Sequence, residues 1–371
     1  MQDAEGTFGA RADRHGSLRA ASPATATWHA VCASPSMTLP DLRNHVAVVT
    51  GASSGIGRAT ALLLARSGAS VVAAARNERA LDLLATRSGD LAGEIVPQPT
   101  DVTDPEAVWA LAASATNRFG RIDAWINAAA VAMYAPVDQT EPEELRRILD
   151  VNVVGTASGV RAALPVMERQ GGGTIVNIGS VESKRALPLQ SAYAASKHAV
   201  RGLTDALRAE LAQRGSPVTL TLVMPSAMNT PFFRHARSKL GVVPQPFPPV
   251  YEPETVAEAI LHAVQHPTAE IVVGGGGKGL ELLDRLSPRL ADLVLGIPAV
   301  GSALQRTEIR DDGRDNLDEP LDEPGQIHGE WGDMARRHSW YTSLVALHPV
   351  PARAVALGAV GLAALVLRLR R

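Results

Sequence analysis

Short apolar runs alternate with longer stretches of helical periodicity between residues 46 and 273. The apolar runs are rich in valine and isoleucine and lack polar alternation, a pattern typical of strands that are buried on both faces of a sheet. Seven strands are predicted, at 46–49, 71–74, 94–96, 122–126, 174–178, 219–223 and 270–273.

Helical stretches separate these strands. Pro105, Pro142 and Pro253 stand where three of them begin, and the first turn of a helix tolerates proline. Because strands and helices alternate, we predict a Rossmann-like α/β domain, a doubly wound parallel sheet of about seven strands with helices on both faces. The predicted helices are 57–67, 78–87, 105–119, 142–169, 192–213 and 253–265.

The segment before the first strand differs in composition from the rest of the chain. Residues 1–36 are rich in Ala, Ser, Arg and Gly without an apolar period, which predicts a disordered N-terminal extension. A second interpretation is that translation starts at Met37, so that residues 1–36 are not made. Either way, the catalytic domain is predicted to occupy residues 37–297.

The C-terminal part divides into an acidic and an apolar segment. Ten acidic side chains lie within 308–333, against Arg310 and Arg314, so residues 298–343 are predicted to be a flexible linker. Residues 344–371 form an apolar tail, in which 354–367 is an uninterrupted apolar run of 14 residues. A helix of that length spans about 21 Å, against about 30 Å for a bilayer core. We predict membrane association, and leave open a spanning helix, an interfacial helix or a helix docked on a partner.

Composition narrows the classes of function. A net charge of −2 and an aromatic share of 4% provide neither the basic surface nor the stacking platform of a nucleic-acid-binding protein. The single cysteine, Cys32, excludes an internal disulfide and fits a reducing compartment. The ten histidines lack spacings such as HExxH, so no metal is expected. We predict a cytoplasmic protein, associated with a membrane through its tail.

A glycine-rich turn joins the first strand to the first helix. Its glycines allow a sharp turn and close approach of a pyrophosphate, which the free amides at the helix N-terminus then bind. The spacing is Gly-x3-Gly-x-Gly, and its strand–turn–helix context favours a dinucleotide site over a ligand-free turn. The predicted cofactor-binding residues here are Gly51, Ser53, Ser54, Gly55, Ile56 and Gly57.

Arg76 follows the second strand, where many NAD-binding enzymes have an acid that binds the ribose 2′-hydroxyl. A guanidinium pairs with a 2′-phosphate, whereas a carboxylate repels it. We therefore predict NADP(H) as the preferred cofactor, with NAD(H) as the alternative.

Tyr193 and Lys197 are four residues apart on a predicted helix and therefore share a face. A nearby cation favours the phenolate form and lowers the pKa of a tyrosine towards the range useful for proton exchange. Ser180 closes the fifth strand, and the carboxyl ends of parallel strands meet at one edge. These three residues are therefore candidate catalytic groups.

The chain resembles the main single-domain branch of the short-chain dehydrogenase/reductase family over about residues 39–274. The glycine turn, the Ser180, Tyr193 and Lys197 set and several smaller motifs occur in the family's order and spacing. The resemblance implies that Tyr193 is the acid/base, that Lys197 holds the nicotinamide ribose, and that Ser180 binds the substrate oxygen. It also implies that Asn152 positions a water, that Asp101 and Val102 contact adenine, that Asn127 lies beside the cofactor, and that Pro225 and Thr230 lie at the nicotinamide.

Two positions depart from the family pattern. The family's Asn-Asn-Ala-Gly is Asn127-Ala128-Ala129-Ala130 here, and Pro-Gly after the sixth strand is Pro225-Ser226. An alanine tolerates a positive φ less well than glycine, so we expect a change in the local backbone of the cofactor floor without loss of a catalytic group.

These features predict an NADP(H)-dependent oxidoreductase that transfers a hydride between nicotinamide and an apolar carbonyl or alcohol substrate. Segment 226–252 is a predicted substrate lid, with Phe232, Phe233, Phe247 and Tyr251 as its apolar side chains. The alternatives are a non-catalytic NADP(H)-binding sensor or scaffold and, less favoured, a sugar-nucleotide epimerase. A leucine stripe, whose members are Leu282, Leu283, Leu286, Leu290 and Leu293, predicts packing on the domain or on another subunit, and we expect a homo-oligomer.

Overall fold

A parallel sheet of seven strands forms the centre of the protein in the computed structural model, which describes residues 39–347. Numbered along the chain, the strands lie in the order β7-β6-β5-β4-β1-β2-β3, and every neighbouring pair is parallel. The predicted doubly wound sheet is thereby confirmed. The strands are β1 (Val46–Thr50), β2 (Ser70–Ala75), β3 (Ile95–Pro99), β4 (Ala124–Asn127), β5 (Gly173–Ile178), β6 (Val218–Pro225) and β7 (Glu270–Val273).

Helices connect the strands, and local sequence explains where several of them begin. Asn77 accepts a hydrogen bond from the Ala80 amide and caps α2, while Asp104 caps α3, which then starts with Pro105. The helices are α1 (Gly55–Arg66), α2 (Glu78–Thr86), α3 (Pro105–Phe119), α4 (Pro142–Leu149), α5 (Gly155–Arg169), α6 (Ser191–Gln213), α7 (Phe232–His235), α8 (Glu254–Gln265), α9 (Gly275–Leu286), α10 (Pro288–Leu295) and α11 (Pro298–Gly301).

The order of the strands agrees with their composition. Strands β1 and β2 are almost wholly buried and contain only small and β-branched residues. Strand β3 lies at the sheet edge and carries Pro97 and Pro99, since proline cannot donate to a ladder and is confined to edge strands. Trp125 and Leu111 are fully buried in the main apolar cluster beside the sheet.

The helix predicted over 142–169 is interrupted. A π-helical turn, Asp150–Val154, lies between α4 and α5 and carries Asn152. The side chain of Asn152 exchanges hydrogen bonds with the backbone of Val131, at 2.9 and 3.0 Å. Apolar periodicity gives no signal for this local unwinding, which is a frequent feature of functional sites.

The acidic segment differs from the flexible linker that composition predicts. Strand Arg306–Arg310 pairs with Val242–Pro244, and Ala335–Arg336 pairs with Val250–Tyr251. Between them, residues 315–327, here called the strap, cross the domain. Some of the strap's acids pair with basic side chains of the domain: Arg237 pairs with the largely buried Asp315 at 3.0 Å and with the exposed Asp318 at 2.7 Å.

The leucine stripe is split between α9 and α10 and is not covered by the described part of the domain. Leu286 and Leu293 are 77% and 67% exposed. Its predicted packing against the domain is therefore not observed among residues 39–347. Within the same range, no helix is both long and apolar enough to cross a membrane. The predicted N-terminal extension and the apolar run 354–367 lie outside the described residues.

Candidate active site

A cavity of about 300 Å³ opens at the carboxyl ends of β1, β2, β4 and β5. That volume lies at the lower end of the range for small-molecule sites. The cavity brings most of the predicted site residues together in one place. Those that line it are Gly51, Ser53, Ser54, Gly55, Ile56, Gly57, Arg76, Asp101, Val102, Ser180, Tyr193, Lys197, Pro225 and Thr230.

The glycine turn forms one wall of the cavity. Gly51 and Gly55 have φ values of 68° and 52°, a region that favours glycine. A Cβ on Gly51 would lie 2.7 Å from the amide nitrogen of Ala129, so the loop after β4 leaves no room for a side chain there. The first turn of α1 also lines the cavity, and such a helix terminus suits a pyrophosphate. The Gly55 amide in this turn donates to the Gln326 carbonyl at 2.8 Å.

The alanines that replace the family's motif do not distort the backbone. Ala128 and Ala129 donate their amides to the Thr50 hydroxyl at 3.1 and 3.3 Å, which ties this loop to the end of β1. Neither these residues nor Ala130 is among the non-glycine residues of the described chain that have positive φ. The backbone at these alanines therefore avoids the positive φ that an alanine tolerates less well than a glycine.

At the end of the cavity where the adenosine would bind, Arg76 forms hydrogen bonds with the strap. Arg76 donates to the carbonyl oxygens of Asn316 and Asp318, each at 2.6 Å. Asp101 accepts from the amide and the hydroxyl of Thr103, at 2.9 and 2.8 Å. Sequence reasoning missed the strap because the residues that meet here are about 240 positions apart in the chain.

The three catalytic candidates are buried at the other end of the cavity. Tyr193 and Lys197 lie on the first turns of α6, and Ser180 follows β5. The ammonium of Lys197 donates to the Ile178 carbonyl at 2.9 Å and lies 5.6 Å from the centre of the Tyr193 ring. Tyrosine and lysine therefore share one helix face, as their spacing predicts.

Two predicted residues do not line the cavity. The amide of Asn152 is used within the protein, by Val131 and by the Ser196 hydroxyl at 2.9 Å. The amide of Asn127 lies inside the sheet, where it donates to Asn177 at 2.8 Å and accepts from Trp125 at 2.7 Å. Both side chains therefore brace the elements around the cavity, whereas direct contact with a ligand was expected for Asn127.

Glu182 is a cavity residue that sequence reasoning missed. It is 4% exposed, and the Leu187 amide donates to its carboxylate at 3.3 Å. Burial raises its pKa to about 8, with the Leu187 hydrogen bond and the Lys197 charge opposing the shift. Its position two residues after Ser180 was the only available signal.

The pKa of Tyr193 is shifted upwards, opposite to the direction that its spacing from Lys197 predicts. Burial raises its pKa well above the ordinary value, the Glu182 charge raises it further, and the Ser180 hydroxyl opposes the change. Burial also lowers the pKa of Lys197 to about 8. Burial and Glu182 outweigh the Ser180 hydrogen bond, so the pKa of Tyr193 lies above its ordinary value and the protonated phenol is favoured.

Aromatic side chains enclose the substrate end. Phe232 meets the Tyr193 ring edge-on at 5.4 Å, and Phe233 lies 6.3 Å from Tyr134. Phe247, from the predicted lid, also lines the cavity. Tyr251 instead accepts a hydrogen bond from the Gly276 amide at 3.3 Å, and so anchors the lid rather than lining the site.

These residues fit a nicotinamide dinucleotide. The side-chain-free wall at Gly51 and the helix terminus of α1 suit a pyrophosphate, and Arg76 and Asp101 suit the adenosine. The same cavity continues without a break to Tyr193 and Ser180. A bound dinucleotide could therefore reach the catalytic group from the glycine turn.

Comparison with known proteins agrees with this arrangement. The family model for short chain dehydrogenases matches residues 45–241. The uncharacterized oxidoreductase YxnA of Bacillus subtilis is 39% identical over 261 residues, which are 70% of this chain and 73% of YxnA.

Two solved structures share the fold. A short-chain dehydrogenase/reductase from Burkholderia phymatum in complex with NAD has a TM-score of 0.61 and 28% identity, and the match covers 68% of this chain and 96% of that one. The alcohol dehydrogenase of Thermococcus sibiricus, complexed with 5-hydroxy-NADP, has a TM-score of 0.55 and 26% identity over 62% of this chain and 95% of its own. With a family model matching more than half of its length, the chain belongs to the short-chain dehydrogenase/reductase family and is an NAD(P)-dependent oxidoreductase.

Proposed function

We propose that the protein transfers a hydride between NADP(H) and the carbonyl or alcohol carbon of an apolar substrate, with Tyr193 as the acid/base. The observation that carries the proposal is the single cavity that holds Ser180, Tyr193 and Lys197 together with the glycine turn. A sensor without catalysis would not need a buried phenol and hydroxyl beside the nicotinamide position.

The protein's own groups supply the proton and the positioning. The nicotinamide supplies or accepts the hydride when it is bound. In the reducing direction, the Tyr193 phenol gives its proton to the carbonyl oxygen as the hydride reaches the carbonyl carbon, and solvent restores the proton afterwards. Ser180 donates a hydrogen bond to the same oxygen, and Lys197 holds the nicotinamide ribose. Burial favours this direction, because it keeps the phenol protonated.

Arg76 supports a preference for NADP(H). It lies in the cavity directly after β2, in the position where an acid would favour NAD(H). A guanidinium binds a 2′-phosphate through charge-assisted hydrogen bonds. Asp101 and Val102 would contact the adenine, and Pro225 and Thr230 would lie beside the nicotinamide.

The substrate end supports an apolar substrate. Tyr134, Phe232, Phe233 and Phe247 line it, and Leu187 adds a buried aliphatic side chain. Burial of apolar area on these rings would supply most of the binding free energy. Asn152 would act by fixing the loop at Val131 and the start of α6, and the water that the family resemblance implies would lie next to it.

Assembly and location are further parts of the proposal. The exposed leucine stripe on α9 and α10 is the surface through which we propose that the chain forms a homo-oligomer. We propose that the protein works in the cytoplasm and associates with membranes through its apolar tail, which is followed by Arg368, Arg370 and Arg371.

Activity itself is the first test. Purified protein incubated with NADPH and a panel of apolar ketones and aldehydes should lose absorbance at the nicotinamide band with at least one member. Tight NADPH binding without turnover of any compound would favour the sensor alternative.

Replacement of Tyr193 by Phe should lower kcat by about 10²–10⁴-fold, the range that general acid–base catalysis contributes. The affinity for NADPH should stay within about twofold, because the ring and its packing against Phe232 are retained. Steady-state kinetics and titration of nicotinamide fluorescence measure the two effects. Tyr341→Phe, outside the cavity, is the matched control, and a kcat for Tyr193→Phe equal to that of the control would refute the assignment.

Replacement of Glu182 by Gln should change the pH dependence of carbonyl reduction. The ionised carboxylate raises the pKa of Tyr193, so its loss lowers that pKa, and activity that needs the protonated phenol should be lost at lower pH. Because the pKa of Glu182 is about 8, the variant should differ from the parent in this way only above about that pH. Profiles of kcat/KM against pH test this, with Glu258→Gln on α8 as the control; coincident basic limbs would contradict the coupling.

Replacement of Arg76 by Asp should move cofactor preference towards NAD(H). The change removes a phosphate partner and adds repulsion, so kcat/KM for NADPH should fall at least tenfold relative to that for NADH. Arg79→Asp alters an exposed neighbour on α2 and serves as the control. If the ratio of the two kcat/KM values is unchanged, another residue recognises the phosphate.

Removal of residues 344–371 should release the protein from membranes without stopping catalysis, because all the predicted catalytic and cofactor-binding residues lie before them. Fractionation of cells that express the full-length or the shortened chain measures the distribution. Full-length protein found wholly in the soluble fraction would disprove the membrane proposal.

A further inference from the structure

The strap is attached to the domain largely through groups of the cofactor site. The Gly55 amide at the start of α1 donates to the Gln326 carbonyl at 2.8 Å. The Asn77 side chain donates to the carbonyls of Leu321 and Glu323 at 2.6 and 2.9 Å. Gly55 and Asn77 both line the cavity. The strap therefore forms the outer wall of the adenosine end.

Arg76 is the point where the strap and an NADP(H) cofactor would compete. Its two terminal nitrogens both donate to strap carbonyls, those of Asp318 and Asn316. A bidentate contact with a 2′-phosphate can use the same two nitrogens. A guanidinium has five N–H donors and the strap takes two of those of Arg76, so a phosphate that approached Arg76 end-on would have to displace the strap carbonyls.

Charge on the strap adds to this competition. Asp318 and Glu319 are close enough to Arg76 to raise its pKa, although burial lowers it more. The same carboxylates would repel a phosphate dianion near Arg76. A ribose 2′-hydroxyl, in contrast, can donate a hydrogen bond to a carbonyl oxygen. The adenosine end with the strap in place thus suits a 2′-hydroxyl better than a 2′-phosphate.

A second arginine is buried beneath the strap. Arg58 is fully buried, and its Nη1 donates to the Ala80 carbonyl at 2.8 Å, but its Nε and Nη2 have no hydrogen-bond partner. A Cβ on Gly325 of the strap would lie 2.8 Å from this Nη1. Unpaired buried donors are costly, so the cationic group beneath the strap is poorly satisfied in this arrangement.

Packing of the Leu317 side chain holds the strap against the domain. This side chain is fully buried in the main apolar cluster, which includes Val102 of the adenine position. Arg147 donates to the Leu317 carbonyl at 3.0 Å, and Asp315 accepts the Leu317 amide at 2.9 Å. Ile327, at the other end of the strap, is also buried. Release of the strap around Arg76 requires withdrawal of the Leu317 side chain together with the polar contacts around it.

We propose that the strap competes with the 2′-phosphate of NADP(H) for Arg76, so that the closed strap accepts NAD(H) and binding of NADP(H) displaces it. This rests on the proposed function only in taking the cavity as a nicotinamide dinucleotide site. The strap then sets how strongly the enzyme discriminates between the two cofactors.

Two nucleotides that differ only by the 2′-phosphate, 5′-AMP and 2′,5′-ADP, probe this competition directly. Their Kd values would be measured by calorimetry on the full chain, on Leu317→Ser and on Leu83→Ser, which makes the same change at an exposed position outside the cavity. Leu317→Ser should lower the Kd of 2′,5′-ADP at least tenfold, about 1.4 kcal/mol, and leave that of 5′-AMP within twofold. Leu83→Ser should change neither.

Asp315→Asn provides a milder release if Leu317→Ser does not fold, because it weakens the pair with Arg237 but keeps an acceptor for the Leu317 amide. Like Leu317→Ser, it should lower the Kd of 2′,5′-ADP and leave the Kd of 5′-AMP within twofold. An equal rise in the Kd of both nucleotides would overturn the proposal, because the strap would then only enclose the cavity. Unchanged Kd values in a folded release variant would overturn it as well.

Hydrogen–deuterium exchange gives an independent measurement on the unaltered protein. Saturation with NADPH should raise exchange in peptides that cover 315–327, and saturation with NADH should not. Equal protection by both cofactors would contradict displacement. These readouts need no turnover, so an inactive protein that still shows them would count against the catalytic proposal alone.

Discussion

The reversal of strand order between β1 and β4 is the constraint on which the site depends. Helices that leave these two strands run to opposite faces of the sheet, so a crevice opens outside their carboxyl ends. Thr50 bridges the crevice floor by accepting the amides of Ala128 and Ala129. The glycine turn approaches the same loop so closely that Gly51 has no space for a Cβ. The cofactor cavity follows from this one junction.

The parts of the structure that depend on local sequence could be predicted. Strand β2 and helix α3 lie within a residue or two of their predicted limits, because apolar runs, the Asp104 cap and Pro105 act over a few positions. The common face of Tyr193 and Lys197 also follows from helical geometry alone. The π-turn at Asn152 could not be predicted, because apolar periodicity carries no signal for it and the hydrogen bonds of Asn152 go to a backbone segment 21 positions away.

Predictions from composition and spacing failed where tertiary contacts determine the structure. A stretch with ten acids is typical of a solvated segment. Arg237 and Arg76 nevertheless bind it, and its apolar side chains Leu317 and Ile327 are buried, which an acidic average conceals. The pKa of Tyr193 shows the same limit. Helical spacing identified its lysine neighbour, but burial and Glu182 dominate its electrostatics, and neither is visible as a pattern along the chain.

Each end of the cavity holds a contact that the sequence pattern does not show. Glu182 raises the pKa of Tyr193 and so opposes the phenolate form, while backbone carbonyls of the strap accept hydrogen bonds from Arg76. One contact is set by a single carboxylate and the other by a short segment far from it in the chain, so each can be altered without the other. A fold shared with many relatives can thus acquire different chemistry through contacts outside the family's motifs.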